Sequence, residues 1–329
     1  MKYLLLITTL VAFLPAGYAA GGFSVEKTPS GGAIVSYNGK LVTEYVVDQA
    51  NKPYLWPLVT PEGVTMTRAY PIKNVEGEKQ DHPHHRGINF GHEGINGANT
   101  WAERMSYEDG EKKKPGSMQA RIAALGTEKH KGFKTLNATG EKAELVALTD
   151  YLDTAGKVSG QDERHMIFQI LNGMLTLDFD ISFTAGTEPV TFEDKKDAGF
   201  SIRVPTSMSV DTKLGGRIIN SEGHTDKDAW GKRAKWCDFN GPVDGKTVGV
   251  AMLNHPSSFR FPTPWHARTY GLFTANPFGT KSLDKTAPDG AFTLKPGEKL
   301  TLRHRLIFHN GDEKSAKIAE AFAAYAAMP

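Results

Sequence analysis

The sequence predicts an all-β protein, built as a large antiparallel β-sandwich. The first indication is the density of turn signals, because 34 Gly and 18 Pro residues interrupt a chain of 329 residues throughout its length. The second is that short β-type runs recur between these turns, whereas long helical periodicity is confined to the C-terminus. Many short strands at such spacing are typical of a sandwich.

Two Asn-Gly dipeptides mark the clearest β-hairpins, because Asn and Gly accept the positive φ of a tight two-residue turn. They are Asn38-Gly39 and Asn172-Gly173. The strands that flank them are predicted at residues 33–37, 40–47, 165–171 and 174–183. Further strands are predicted at residues 121–126, 143–152, 199–204, 247–253 and 300–309. A helix is predicted at residues 313–328, where Ile318, Ala319, Phe322 and Tyr325 share one apolar face.

The N-terminus predicts export. Lys2 precedes an apolar run at residues 3–14, and small residues follow before a cleavage site near Ala19 or Ala20. The run is shorter than the roughly 20 residues that span a bilayer. We therefore expect a signal peptide at residues 1–20 and a single β-sandwich domain at residues 21–329. The mature protein would be periplasmic or secreted, without a membrane contact.

Composition narrows the classes of partner. With 39 basic and 37 acidic residues the formal net charge is +2, so the chain lacks the basic surface that nucleic acid requires. Nucleotide-binding glycine motifs and the nucleophile motif of α/β-hydrolases are missing from the sequence. The single cysteine, Cys237, excludes an internal disulfide, and we expect it to be buried. A small molecule or an oligosaccharide remains as the expected ligand.

The segment HPHHRGINFGHEGINGANTW, residues 82–101, holds four of the eleven histidines. Histidine titrates near neutral pH and is also a common metal ligand, so the segment predicts proton transfer, metal binding or sugar recognition. Pro83 disfavours a helix, and an extended chain would place His82 and His84 on one face and His85 on the other. The glycines that follow predict a loop.

Three more segments combine tryptophan, histidine, arginine or acidic residues near turns. They span residues 193–203, 223–236 and 254–279. Binding residues concentrate on loops that a rigid scaffold positions, so we expect these segments and residues 82–101 to converge on one aromatic-lined cleft.

Four segments of the sequence together resemble a known family. They are HPHHRGINFGHEGINGANTWAE, DAGFSIRVP, WGKRAKWCDFNG and PTPWHARTYGLFTANPFG, and together they resemble the PmoA-like family of exported bacterial proteins. That family is labelled "methane oxygenase". We do not expect this activity, because a methane monooxygenase subunit is embedded in the membrane and this chain lacks such helices.

The tail of the chain is similar to the closing strands of galactose-mutarotase-like sandwiches, from LKPGE into the predicted strand 300–309. This resemblance implies a galactose-mutarotase-like supersandwich with a carbohydrate cleft, in which a histidine is general acid and a carboxylate is general base. We therefore expect an exported protein that acts on a saccharide or sugar derivative as an epimerase, lyase or hydrolase. The alternatives are a metal-dependent enzyme and a non-catalytic carbohydrate-binding protein.

Each candidate residue has an expected role. Acid–base catalysis is assigned to His85, Glu93, Asp197 and His266. Substrate binding is assigned to His84, Arg86, Trp101, Arg203, Trp230, His255, Trp265, Arg268 and Asn276. No cofactor is expected. In the alternative with a divalent metal, the ligands come from His82, His84, His85 and His92.

Overall fold

The structure is a computed structural model that describes residues 21–113, 116 and 118–329. The predicted signal peptide at residues 1–20 lies outside these residues. Across the described part of the chain, none of the helices has the length and apolar character needed to cross a membrane.

Strands dominate the described chain, which confirms the all-β prediction. In chain order they are β1 (Phe23–Lys27), β2 (Ala33–Tyr37), β3 (Lys40–Val46), β4 (Tyr54–Leu55), β5 (Ile88–His92), β6 (Thr127–Ala138), β7 (Lys142–Leu152), β8 (Val158–Leu171), β9 (Met174–Ala185), β10 (Val190–Phe192), β11 (Ala198–Arg203), β12 (Arg217–Asn220), β13 (Arg233–Ala234), β14 (Trp236–Val243), β15 (Lys246–Asn254), β16 (Thr263–Arg268), β17 (Leu272–Ala275), β18 (Phe292–Leu294) and β19 (Lys299–Asn310). The α-helices are α1 (Arg104–Lys113), α2 (Met118–Ala123), α3 (Thr280–Leu283) and α4 (Ile318–Ala326).

The strands form two large sheets whose named pairings are antiparallel. The order in the first sheet is β1-β2-β3-β4-β5-β11-β17-β16-β13, and in the second it is β12-β14-β15-β19-β9-β8-β7-β6. Strands β10 and β18 form a small separate sheet. Apolar side chains of both large sheets belong to one buried cluster, in which the Phe179 and Phe200 rings lie 4.7 Å apart. The two sheets therefore pack face to face around a shared core.

Most predicted strands are confirmed, including both Asn-Gly hairpins. The strand predicted at residues 121–126 is wrong, because α2 and a turn occupy that stretch. The sequence of α2, MQARIA, consists mainly of residues that favour a helix. The predicted terminal helix begins at Ile318 rather than at residue 313, because Lys317 adopts a left-handed conformation immediately before it.

Residues 87–97 are not the continuous loop that their glycines predicted. Strand β5 runs through them as a fully buried central strand and pairs with β11. Gly91 permits this, because a Cβ atom there would lie 3.1 Å from the Cα atom of Trp101, which crosses the strand. The β5–β11 pair places residues 85–93 beside residues 197–203 in the middle of the first sheet.

A buried ion network in the second sheet supports the segment next to β5. Arg164 is fully buried and pairs with Glu128 and Asp162, and Asp162 also accepts a hydrogen bond from the Tyr151 hydroxyl. Glu128 accepts a second bond, 2.7 Å long, from the Thr100 hydroxyl. The Thr100 backbone N–H donates to the carbonyl of the last residue in β5. The network thus ties the second sheet to the first beneath residues 99–101.

Replacing Arg164 with Met is expected to lower the free energy of unfolding by about 3–5 kcal/mol, because Glu128 and Asp162 would stay buried without a counter-charge. Urea denaturation of both proteins measures the difference. The matched control is Lys134→Met, which breaks an exposed ion pair with Glu163 on the same strands and should cost less than about 1 kcal/mol. Equal losses in the two variants would contradict a structural role for the network.

Candidate functional site

An open cleft of about 640 Å³, here called the main cleft, is lined by five of the predicted residues. His82 and His84 reach it from the turn before β5, Glu93 from the end of β5, and Asp197 from the residue before β11. Trp101 lies on the same surface, and Tyr107 and Arg121 of α1 and α2 complete it from the opposite side. A separate cleft of about 590 Å³ near Trp56 and Pro205 contains none of the predicted site residues.

The histidine segment forms a tight turn rather than the extended chain predicted from Pro83. The His85 N–H donates to the His82 carbonyl over 3.0 Å, and His82 has a φ of 44°. Proline suits the second position of such a turn, which explains the geometry. The His82 ring therefore stacks on the His85 ring at 4.9 Å, and the His84 ring meets His85 edge-on at 4.3 Å. The predicted separation of His82 and His85 onto opposite faces is wrong.

His85 lies behind the surface of the main cleft. It is buried between His82 and Trp101, and its Nδ1 atom is 3.3 Å from Nη1 of Arg203. Burial lowers its pKa well below the usual range, and the neighbouring His84 and Arg203 lower it further. The ring is therefore neutral, and its position fits a role in orienting its neighbours rather than in transferring protons.

Arg203 and Arg68 share one carboxylate, Asp81. The Arg203 Nη2 atom donates to Asp81 Oδ1 over 2.7 Å, and Arg68 donates to the same oxygen atom. Although burial alone would raise it, the pKa of Asp81 lies well below its usual range, because His82, Arg203 and Arg68 stabilise the carboxylate. The Arg203 guanidinium also lies 4.7 Å above the Tyr270 ring. Arg203 is thus engaged by protein groups on several sides.

His266 connects two tryptophans with one acidic side chain. Its ring is stacked 6.3 Å from Trp101 and meets Trp230 edge-on at 4.8 Å. Its Nδ1 atom is 3.7 Å from Asp197 Oδ1. Burial lowers the His266 pKa to about 4 even though Asp197 opposes the shift, so the imidazole is neutral near pH 7.

Glu93 and Asp197 form a pair of carboxyl groups in the main cleft. Their backbones are joined by a hydrogen bond of 2.9 Å from the Glu93 N–H to the Asp197 carbonyl. Burial raises the Glu93 pKa, and the negative charge of Asp197 raises it further. Two carboxyl groups in unequal environments are the arrangement that allows one to act as an acid and the other as a base.

The four histidines proposed as metal ligands are not assembled. His92 is fully buried on the far side of β5, where its ring packs against Phe192 at 5.5 Å and Phe278 at 5.0 Å. Its Nδ1 atom accepts a hydrogen bond from the Gly94 N–H. Within the described residues, no group of three or more His, Cys, Asp or Glu side chains is arranged to hold a metal ion.

Two of the predicted binding residues lie apart from the main cleft. Arg86 is buried and forms an ion pair of 3.0 Å with Glu103, facing a different depression. His255 contacts the Ser257 hydroxyl and the ring of Tyr325 in α4. The proline-bounded segment that predicted a site at His255 instead helps to attach the terminal helix.

Trp265 and Asn276 have structural positions. Trp265 is fully buried in the core and donates from Nε1 to the Ala234 carbonyl. The Asn276 amide donates to the carbonyls of Lys195 and Lys196, each over 2.9 Å. Asn276 therefore fixes the loop that carries Asp197 without reaching the main cleft itself.

Several site residues were not predicted from the sequence. Asp81 immediately precedes the histidine segment, and Tyr270 follows Arg268 by two residues, so proximity in sequence was an available signal for both. Lys52 gave no such signal. It is buried and donates from Nζ to the Trp101 carbonyl over 2.6 Å, and burial lowers its pKa to about 8.

A family model described as a family of unknown function, DUF6807, matches residues 33–323. The chain belongs to the DUF6807 family. The description of this family model does not mention PmoA, so the PmoA-like assignment made from the sequence motifs is not supported. A search of curated protein sequences finds no match.

Solved structures are similar to this DUF6807 chain only at low identity. A galactose mutarotase related enzyme from Lactobacillus acidophilus is 12% identical with a TM-score of 0.35, over 88% of this chain and 97% of that one. A galactose mutarotase-like protein from Clostridium acetobutylicum is 12% identical with a TM-score of 0.37, over 88% and 99% of the two chains.

A polysaccharide lyase is 17% identical with a TM-score of 0.32, over 90% of this chain and 34% of the lyase chain, so this chain spans about a third of its length. Scores this low carry no argument about topology or function. The sandwich architecture rests on the strands described above, and the galactose-mutarotase-like assignment stays a prediction.

The buried neutral histidines predict acid sensitivity. The unfolded His266 would take up a proton near pH 6.5, whereas the folded side chain resists protonation until about pH 4. Protons therefore favour the unfolded state between these values, and stability should fall as pH decreases through this window. Each such histidine contributes a slope of up to about 1.4 kcal/mol per pH unit.

In the His266→Gln variant, the free energy of unfolding should depend less steeply on pH between pH 4.5 and 5.5, because the contribution of His266 is lost. Urea denaturation at several pH values measures this dependence. The control is His309→Gln. Although burial opposes it, the hydrogen bond to Asp238 raises the His309 pKa, so both folded and unfolded states are protonated in this window. An unchanged slope in His266→Gln would show that the buried ring is already charged.

Proposed function

We propose that this protein catalyses acid–base chemistry on a saccharide or sugar derivative in the main cleft. The observation that carries the proposal is the placement of Glu93 beside Asp197 in the main cleft, with the buried His266 Nδ1 atom 3.7 Å from the Asp197 carboxylate. A protein that only binds sugars does not need a pair of carboxyl groups in unequal environments. The expected periplasmic or secreted location fits this proposal.

Glu93 is assigned as the general acid. Because burial and Asp197 both raise its pKa, it keeps its proton to a higher pH than a free glutamic acid. It is placed to donate this proton to an oxygen atom that leaves the sugar, or to a carbon atom that changes configuration. Asp197 is assigned as the general base that removes a proton from the substrate or from water.

His266 is assigned as a positioning residue for Asp197. With a pKa of about 4, its ring carries little positive charge near neutral pH and is poorly suited to carry the proton itself. It lies 3.7 Å from the Asp197 carboxylate and is held between Trp101 and Trp230. Trp101 lines the main cleft but is only 4% exposed, so its ring chiefly packs against His85 and His266 and holds them in place.

The Glu93→Gln variant is expected to lower turnover by about 10²- to 10⁴-fold, the usual contribution of a positioned acid, with little change in saccharide affinity. A substrate is first found by incubating the wild-type protein with mono- and oligosaccharides. Mass spectrometry detects cleavage, and NMR spectroscopy detects a change in configuration.

The matched control is Glu193→Gln, which alters a carboxyl group in the same cleft that accepts a hydrogen bond from the Gly97 N–H. It should keep most of the activity. Equal turnover in Glu93→Gln and wild-type protein would refute the acid assignment. Saccharide binding without any product would identify the non-catalytic alternative.

A further inference from the structure

A second, smaller pocket has a volume of about 310 Å³ and is here called the arginine pocket. It is lined by Lys227, Trp230, Ala267, Arg268 and Thr269. Two of these side chains are cationic, and none is acidic. The pocket therefore presents positive charge without a matching negative charge.

Arg268 packs against two aromatic rings and has no anionic partner within the part of the chain that the structure describes. Its guanidinium lies 4.8 Å from the centre of the Trp230 ring and 5.1 Å from that of Tyr270. Contacts with two aromatic rings restrict the side chain and leave the N–H groups at its edge available. Among the described residues, no carboxylate forms an ion pair with it.

The neighbouring arginines of the site differ in this respect. Arg203 pairs with Asp81 at 2.7 Å, and Arg86 pairs with Glu103 at 3.0 Å. Arg268 is thus a preorganised cation whose natural counterpart, a carboxylate or a sulfate group, is not supplied by the described chain. A guanidinium binds such groups through two parallel hydrogen bonds.

The arginine pocket is linked to the main cleft through His266. The Trp230 ring of the arginine pocket contacts the His266 ring at 4.8 Å, and the same His266 ring stacks on Trp101 of the main cleft at 6.3 Å. Two successive ring contacts therefore connect a wall of the main cleft, at Trp101, with a wall of the arginine pocket, at Trp230.

We propose that Arg268 and Trp230 form a subsite for an anionic group of the saccharide, so that the substrate is an acidic saccharide. This inference rests on the proposed function. The anionic group is a carboxylate, as in a uronic acid, or a sulfate ester, since both present oxygen atoms that the edge of a guanidinium can bind. Lys227 adds long-range attraction at the rim of the pocket.

Calorimetric titration with matched saccharides tests the proposal. The probes are disaccharides of gluco, galacto and manno configuration, each in a neutral, a uronate and a sulfated form. At least one acidic form should bind the wild-type protein about tenfold or more tightly than its neutral counterpart, as expected for a hydrogen-bonded charge pair. If the uronate form gains more affinity than the sulfated form, the preferred group is a carboxylate, and in the opposite case it is a sulfate.

The Arg268→Gln variant should lose this preference and bind neutral disaccharides as the wild type does. Arg268→Lys keeps the charge but not the planar edge, and it should retain only part of the preference. Arg104→Gln removes one exposed positive charge elsewhere and should change nothing. Circular dichroism confirms that each variant is folded.

Two results would overturn the inference while leaving the proposed function intact. One is turnover of a neutral saccharide without any acidic preference. The other is an acidic preference that persists in Arg268→Gln. If no disaccharide binds in any form, the inference and the proposed function both fail.

Discussion

The antiparallel pairing of β5 with β11 is the constraint on which the site depends. It aligns Ile88 with Ile202 at one end and His92 with Ala198 at the other. The residues that flank these ends are the ones that form the site, so His85 meets Arg203 while Glu93 meets Asp197. Both strands are buried along their whole length, and a shift of one residue would turn the core side chains Ile88 and Phe90 to the opposite face of the sheet. The β5–β11 register therefore fixes the relative positions of site residues that are far apart in the sequence.

A pair of glycines makes this central position possible. Gly91 and Gly199 lie opposite each other, and a Cβ atom on Gly199 would lie 2.1 Å from the Ala275 carbonyl oxygen in β17. Gly199 also has a φ of 114°, which L-residues rarely adopt. On the other side of β5, Trp101 approaches Gly91 closely. The glycines that suggested a flexible loop in the sequence thus serve the close packing of a rigid strand.

The sequence predicted the sandwich, both hairpins and the approach of Trp101, Glu93, Asp197 and His266, because turn signals and unusual residue clusters are local features. It did not predict which side chains face the cleft, because that depends on register and burial. In β16 the side chains of Trp265 and His266 point to opposite faces, so Trp265 enters the core and His266 packs beneath the site against Trp101 and Trp230. Asp81 and Lys52 act through contacts with residues distant in the sequence, Arg203 and Trp101, which residue type alone does not indicate.

Burial, rather than residue type, assigns the chemical roles in this site. Histidines suggested proton transfer because their ordinary pKa lies near neutrality, yet the sheets bury His85 and His266 and keep both neutral. The same removal of water raises the pKa of Glu93. Asp197 lies between Lys196 and His266, where one cation and one neutral ring surround its carboxylate. The proposed acid–base pair is therefore two carboxyl groups, in which burial and the charge of Asp197 raise the pKa of Glu93, while His266 contributes a buried aromatic contact beside Asp197.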